Sequence, residues 1–226
     1  IKKMHQFLVN KEQSIIFSFS PEVSLVINLA NLFCSKKHIK IVSFRNSFKY
    51  YKTFKGLIKF HFFCLFLFPS NAFHFLTNSN RDSYYNYLPF KFFFSNKVKI
   101  IIPNFIRTSP RFYKSSFQQN IKLQILFIGR LTHQKRPQDF IKFCIMLNNY
   151  LPNLFTFEIF GTGYLKAEIS NLIKMTSCPN QFKLYGKVKN ISDYIKNPFA
   201  LIVTSSFEGH QGVVGEAISS GIPVLS

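Results

Sequence analysis

Two carboxylates eight positions apart offer the most specific chemistry in the chain. Glu208 and Glu216 lie in Thr204-Ser205-Ser206-Phe207-Glu208-Gly209-His210-Gln211-Gly212-Val213-Val214-Gly215-Glu216-Ala217, and they are two of only nine acidic residues. A carboxylate accepts hydrogen bonds from hydroxyls, often two from one diol. Gly209 and Gly212 free the loop backbone, so that amides can point at an anion. A helix start just after them adds to that field. The stretch therefore combines donors for phosphate with acceptors for sugar or ribose hydroxyls, as a nucleotide-sugar requires. A plainer reading stays open beside it: a capped helix with two exposed acids.

A second stretch, Gly129-Arg130-Leu131-Thr132-His133-Gln134-Lys135-Arg136-Pro137, carries three cations in one loop directly before a helix start. Backbone amides at a helix N-terminus, with Arg and Lys beside them, make a phosphate site. A solvated basic loop has the same composition. A third stretch, Phe160-Gly161-Thr162-Gly163, holds a lone G-x-G. By itself that pattern most often marks only a strand-to-helix turn.

The elements that would position these loops alternate along the chain. Strands are expected over Ser14–Phe19, Ile39–Phe44, Phe73–Thr77 and Val98–Ile102. Between them come helical stretches over Glu22–Phe33 and Tyr51–Phe68, and one that Ser79 caps and that runs toward Leu88, where Pro89 disrupts it. The opening residues are expected to lie close to a strand. Residues 108–120 lack a period and read as a linker. A second unit then has strands over Leu123–Ile128, Leu154–Phe160, Phe182–Leu184, Phe199–Val203 and Ile222–Leu225. Helices are expected from Pro137 to about Asn149, after Gly163, over Ile191–Lys196 and over Val213–Ser219, with Gly221 closing the last. Continuous apolar strands alternating with helices predict parallel sheets covered on both faces. In such sheets ligands sit at the carboxyl ends of the strands, where all three chemical stretches fall.

Composition narrows the partners. The chain has 29 basic residues, 6 Arg and 23 Lys, against nine acids, a net charge of +20. It also has 30 Phe and no Trp. A coding bias toward AT-rich codons explains that balance, and so does attraction to a polyanion. Scattered lysines suit diffuse attraction better than base readout, which favours Arg. Cys34, Cys64, Cys144 and Cys178 form no C-x-x-C pair and have no His cluster beside them, so free thiols are expected rather than a zinc site or a disulfide framework. The longest apolar run, Phe62–Phe68, stops at Pro69 and is too short to span a bilayer. It fits a buried helix or strand, or a segment dipping into a membrane interface.

The motifs in order reach a family. Gly129-Arg130-Leu131, Lys135, Gly161-Thr162-Gly163, Tyr185-Gly186-Lys187-Val188, the E-x7-E of Glu208 to Glu216, and Gly221-Ile222-Pro223-Val224 stand in the order and spacing of glycosyltransferase family 4. The second half of the chain resembles the nucleotide-sugar-binding domain of a retaining enzyme of that type. Phe44-Arg45-Asn46, Thr77-Asn78-Ser79 and Val98 to Asn104 look like the later strands of its acceptor domain. The resemblance implies an α/β fold with two Rossmann-like parallel-sheet domains of the GT-B type, incomplete at both ends. Residues 1–107 would be part of the acceptor side, 108–120 the linker, and 121–226 part of the donor-binding side.

Roles follow from the resemblance position by position. Arg130 and Lys135 would hold the donor diphosphate, with Gly129, Gly161 and Gly163 shaping the loops. Glu208 would contact the transferred sugar as the catalytic carboxylate, and Glu216 would hold the ribose hydroxyls. Backbone from Gly209 through His210 and Gln211 to Gly212 would face the phosphates, and Val188 would lie near the base. His210 and Gln211 depart from the aromatic and small residues that the family often places there, and Gly215 weakens the helix relative to Ala. The family's reaction-centre histidine matches none of His5, His38, His61 and His74. No metal and no cofactor are implied. The partners implied are a nucleotide-sugar donor and a glycan or lipid-linked acceptor. The Phe-rich stretches 57–68 and 90–94, with the basic charge, add peripheral contact with an anionic membrane at its cytoplasmic face. Nucleic-acid binding would leave the ordered motifs unexplained. An inactive remnant of such a gene is the other reading.

Overall fold

The computed structural model describes residues 1–32, 34, 38–51, 53–106, 122–206 and 212–226. The chain divides into two compact units, one built on Ile1–Asn104 and the other on Phe105–Ser206 with Gln211–Ser226. The linker expected over 108–120 lies outside the described residues.

In the first unit the order is α1 (Lys2–Val9), β1 (Ile15–Ser18), α2 (Pro21–Asn31), β2 (Ile39–Phe44), a 3-10 turn (Phe48–Tyr51), α3 (Phe54–Leu67), β3 (Ala72–Phe75), α4 (Asn78–Tyr85), α5 (Leu88–Phe94) and β4 (Val98–Ile101). All four strands are parallel, in the order β1-β2-β3-β4. Ser20 caps α2 by accepting from the Val23 amide, with Pro21 in the first turn. Thr53 caps α3 through the Gly56 amide.

In this unit three expectations need correction. The chain opens on a helix, α1, not close to a strand. Thr77, not Ser79, caps α4, accepting from the Asn80 amide at 3.0 Å. That helix ends at Tyr85, and Pro89 sits in the first turn of the separate helix α5 rather than only stopping the one before it.

The abundant phenylalanine fills this unit's core. Phe44, Phe60, Phe73, Phe75, Tyr84, Phe90 and Phe94 are all essentially inaccessible. Ring centroids stand 4.7 Å apart for Phe44–Tyr84, 4.9 Å for Phe90–Phe94 and 5.3 Å for Phe44–Phe73, tilted or edge to face. On the opposite face of the sheet, Ser43 and His74 are buried while Ile39 and Val98 are exposed.

The second unit runs β5 (Leu123–Ile128), α6 (Pro137–Tyr150), β6 (Phe155–Phe160), α7 (Lys166–Lys174), a 3-10 turn (Pro179–Gln181), β7 (Phe182–Gly186), another 3-10 turn (Ile191–Asp193), β8 (Pro198–Ile202), α8 (Gly212–Ser219) and β9 (Val224–Leu225). Its strands are parallel in the order β7-β6-β5-β8-β9. Alternation along β5 explains its apolar run from Ile125 to Ile128. Ile125 and Phe127 join one core with Phe157, Ile159, Phe140, Ile141 and Ile169, while Leu126 joins another with Phe160, Leu201, Ala217 and Ile222. The helix expected over Ile191–Lys196 is only the 3-10 turn.

All four cysteines are free thiols. Burial pushes the Cys144 thiol far up and the Cys64 thiol to about 12, so neither is a thiolate near neutrality.

Candidate functional site

The expected loops emerge side by side from the carboxyl ends of β5, β6, β7 and β8. Their spacing is set by glycine. The Gly129 amide donates to the Phe160 carbonyl at 2.9 Å, and the Gly161 amide donates to the Gly186 carbonyl at 2.7 Å. Gly161 has φ +135°, and a Cβ there would run into the Gly129 carbonyl. A Cβ on Gly163 would run into the Leu131 carbonyl. The G-x-G therefore lets the loop after β6 lie directly on the loop after β5. The Leu131 amide donates to the Thr162 carbonyl and the Leu165 amide to the Leu131 carbonyl, at 3.0 and 3.2 Å, locking the pair.

The basic loop is anchored on its other side to the segment after β8. Thr204 Oγ1 donates to the Lys135 carbonyl at 2.6 Å, and the Ser206 amide donates to the Gln134 carbonyl at 2.9 Å. The Lys135 stem lies over Gly129, 3.7–3.8 Å from where a Cβ would stand. Arg130 is exposed. Arg136 serves the start of α6 instead. It adopts φ 48° just before that helix and pairs with Asp139 at 2.5 Å. Of the three cations in this loop, Arg130 and Lys135 are thus the two that stand at the strand ends. A fourth cation joins them without a motif to announce it. Lys166 Nζ lies 3.9 Å from the Cβ position of Gly186. Its sequence signal is weak but present: a lysine opening the helix that follows the G-x-G turn.

Glu216 stands on α8, exposed, beside a cavity of about 250 Å³. Ile128, Lys189, Asn190, Ile191 and Val213 line it together with Glu216. Val188 packs against the same apolar cluster that floors this side of the sheet. The structure thus brings Glu216 next to the segment that follows β7 and to the end of β5. Sequence reasoning misses Lys189 and Asn190, because only the tertiary fold carries them to Glu216. Gly212 opens α8, and a Cβ there would meet nothing within 4 Å. Gly215 has a packing reason for its lack of side chain, since a Cβ would press on Ile106. Glu208, Gly209, His210 and Gln211 lie outside the described residues.

The histidines of the first unit are tied into the fold. His74 bridges Ser43 Oγ and the Ile102 carbonyl, both at 2.8 Å. His38 bridges Ser14 Oγ and the Leu8 carbonyl at 3.1 and 3.3 Å. His61 reaches the Leu57 carbonyl and Tyr87 Oη, and His5 the Ala30 carbonyl.

Against known proteins, residues 111–226 match the sequence profile described as glycosyl transferases group 1. The chain belongs to this family. Among curated relatives, an uncharacterized glycosyltransferase of Methanocaldococcus jannaschii is 30% identical over 138 residues, covering 58% of this chain and 34% of the relative. The Campylobacter jejuni GalNAc-alpha-(1->4)-GalNAc-alpha-(1->3)-diNAcBac-PP-undecaprenol alpha-1,4-N-acetyl-D-galactosaminyltransferase is 29% identical over 126 residues, 55% of this chain and 34% of that enzyme. The matched region thus spans about a third of these relatives. Among solved structures, the pneumococcal O-GlcNAc transferase GtfA with UDP and GlcNAc superposes with a TM-score of 0.76 at 16% identity, covering 99% of this chain and 43% of that one. Anabaena HepE with UDP and glucose gives 0.75 at 15% identity, covering 99% and 61%. These likenesses establish the GT-B type α/β fold of this group 1 glycosyltransferase.

Proposed function

We propose that this chain is a retaining glycosyltransferase of family 4, which moves a sugar from a nucleotide-sugar donor to a glycan or lipid-linked acceptor. The observation that carries the reading is the meeting of unlike groups on one sheet. The cations Arg130 and Lys135 stand at its carboxyl end, and the Glu216 carboxylate borders a cavity there. A nucleoside diphosphate bears the complementary pattern: charge at one end, a ribose diol at the other.

In this proposal Arg130 and Lys135 neutralise the diphosphate and stabilise it as the leaving group. Glu216 accepts from the ribose hydroxyls. Val188 lies near the base, with Lys189 and Asn190 beside it. Glu208 contacts the transferred sugar, and backbone from Gly209 to Gly212 faces the phosphates. The solved GtfA and HepE structures are complexes with UDP and a sugar, which supports a nucleotide-sugar donor. The Campylobacter relative's name includes PP-undecaprenol, which supports a lipid-linked acceptor.

The test incubates the full chain with UDP-, GDP- and ADP-sugars and undecaprenyl diphosphate-linked glycans. Nucleoside diphosphate release is measured, and the product's anomeric configuration is read by NMR. One nucleotide series should turn over, with the donor's configuration kept. An inverted product would refute retention, and no turnover with any series would refute the transferase reading of this chain.

A further inference from the structure

The outward face of α3 is apolar apart from His61, where a solvent-facing helix surface is normally polar throughout. Phe54, Ile58, Phe62, Leu65 and Phe68 are 81, 57, 53, 74 and 60% exposed. At 3.6 residues per turn they fall within an arc of roughly 120°. The opposite side of the helix buries Phe60, Phe63 and Leu67 in the core. Packing is therefore already satisfied on one side, and the outward stripe is surplus to it.

The stripe continues onto α5. Phe68 lies 6.5 Å from Phe94, ring to ring, and Phe92 and Phe93 beside it are 81 and 55% exposed. Scattered exposed apolar residues are ordinary, but seven large ones on two helices joined through the buried Phe94 ring are not. Lysines border it. Lys55 and Lys91 are exposed, and Lys97 lies over the Phe68 ring at 5.4 Å, whereas Lys59 pairs with Glu22 at 3.4 Å on the side toward the core. Residues 23–81 contain no acid, and residues 1–104 hold 15 basic residues against 3 acids, +12.

We propose that the outward face of α3 and α5 is a docking surface for an anionic lipid bilayer, with the aromatic stripe entering the interface and the bordering lysines meeting lipid phosphates. A Phe and Leu face with lysines at its margin is the pattern of a helix that lies in the interface plane. Among the described residues no helix is long and apolar enough to cross a membrane, and α3 has 14 residues. The surface attaches to the membrane without spanning it. Charge complementarity selects lipid over a second copy, because two such faces would bring their lysines together.

Vesicle flotation of the full chain decides the matter, with phosphatidylglycerol-phosphatidylethanolamine vesicles compared against phosphatidylcholine vesicles at low salt. The wild type should float with the anionic vesicles. The triple variant Phe62→Ser, Leu65→Ser, Phe68→Ser should partition at least about tenfold more weakly. A control with Lys142→Glu and Lys174→Glu, in the other unit, should bind nearly as the wild type does. If the triple variant loses its thermal transition, Lys55→Glu with Lys91→Glu replaces it and should weaken anionic binding alone. The proposal is overturned if the wild type does not float or if the stripe variants bind unchanged. It is equally overturned if the control loses as much, or if the stripe holds the chain as a lipid-free dimer. The assay contains no donor, so its failure leaves the proposed transfer reaction standing, and a failed donor assay leaves this surface standing.

Discussion

At the scale of single residues, the glycines of the second unit act on distance rather than on ligand. Gly161 is held at φ +135° with its missing side chain directed at the Gly129 carbonyl. An added methyl group meets both a left-handed backbone and a peptide oxygen, two independent costs. Gly161→Ala should therefore destabilise the chain by about 2–4 kcal/mol, seen as a fall in the urea midpoint. Because the contact is with the loop that carries Arg130 and Lys135, the same variant should weaken nucleoside diphosphate binding in the fraction that stays folded. A variant as stable as the wild type would show that the two loops do not meet as described. Arg136 makes the complementary point. It shares a loop with Arg130 and Lys135, yet the ion pair with Asp139 assigns it to the start of α6.

At the scale of elements, the test of the first unit is a cap. Thr77 accepts from the Asn80 amide, whereas Ser79 is an exposed residue within the first turn of α4. Thr77→Ala should cost about 1 kcal/mol in chemical denaturation, and Ser79→Ala should change little. The reverse order would place the helix start two residues later. The same neighbourhood shows what sequence can convey. A parallel strand such as β5 is legible because both faces are buried, which makes Ile125 to Phe127 a continuous apolar run. The G-x-G loop is legible because the strand end places it against the loop after β5. α1 is not legible, since Lys2, Lys3, His5 and Gln6 leave little apolar period in eight residues. Nor is α5, because Pro89 reads equally as a stop and as a first-turn residue. Lys189 and Asn190 reach the candidate site only through the packing of the loop that carries them, which no local pattern records.

At the scale of the whole molecule, the net charge of +20 divides into +12 on residues 1–104, from 15 basic and 3 acidic residues, and +8 on residues 105–226, from 14 basic and 6 acidic residues. Charge alone would attract any polyanion, with an affinity set by salt. The candidate site asks for more, since Glu216 opposes a diphosphate and suits only the hydroxyl end of a nucleotide. That difference makes a carboxylate the best probe of a basic protein. Calorimetric titration of the full chain with UDP, GDP and ADP, repeated on Glu216→Ala, probes the donor site at the group that distinguishes it. Saturable binding of one of the three nucleotides is expected. Glu216→Ala should weaken that binding by about 1.5–3 kcal/mol, roughly 10- to 150-fold. Equal or tighter binding by the Glu216→Ala variant would refute the assignment, because removing an acid from a merely basic surface should strengthen its hold on a polyanion.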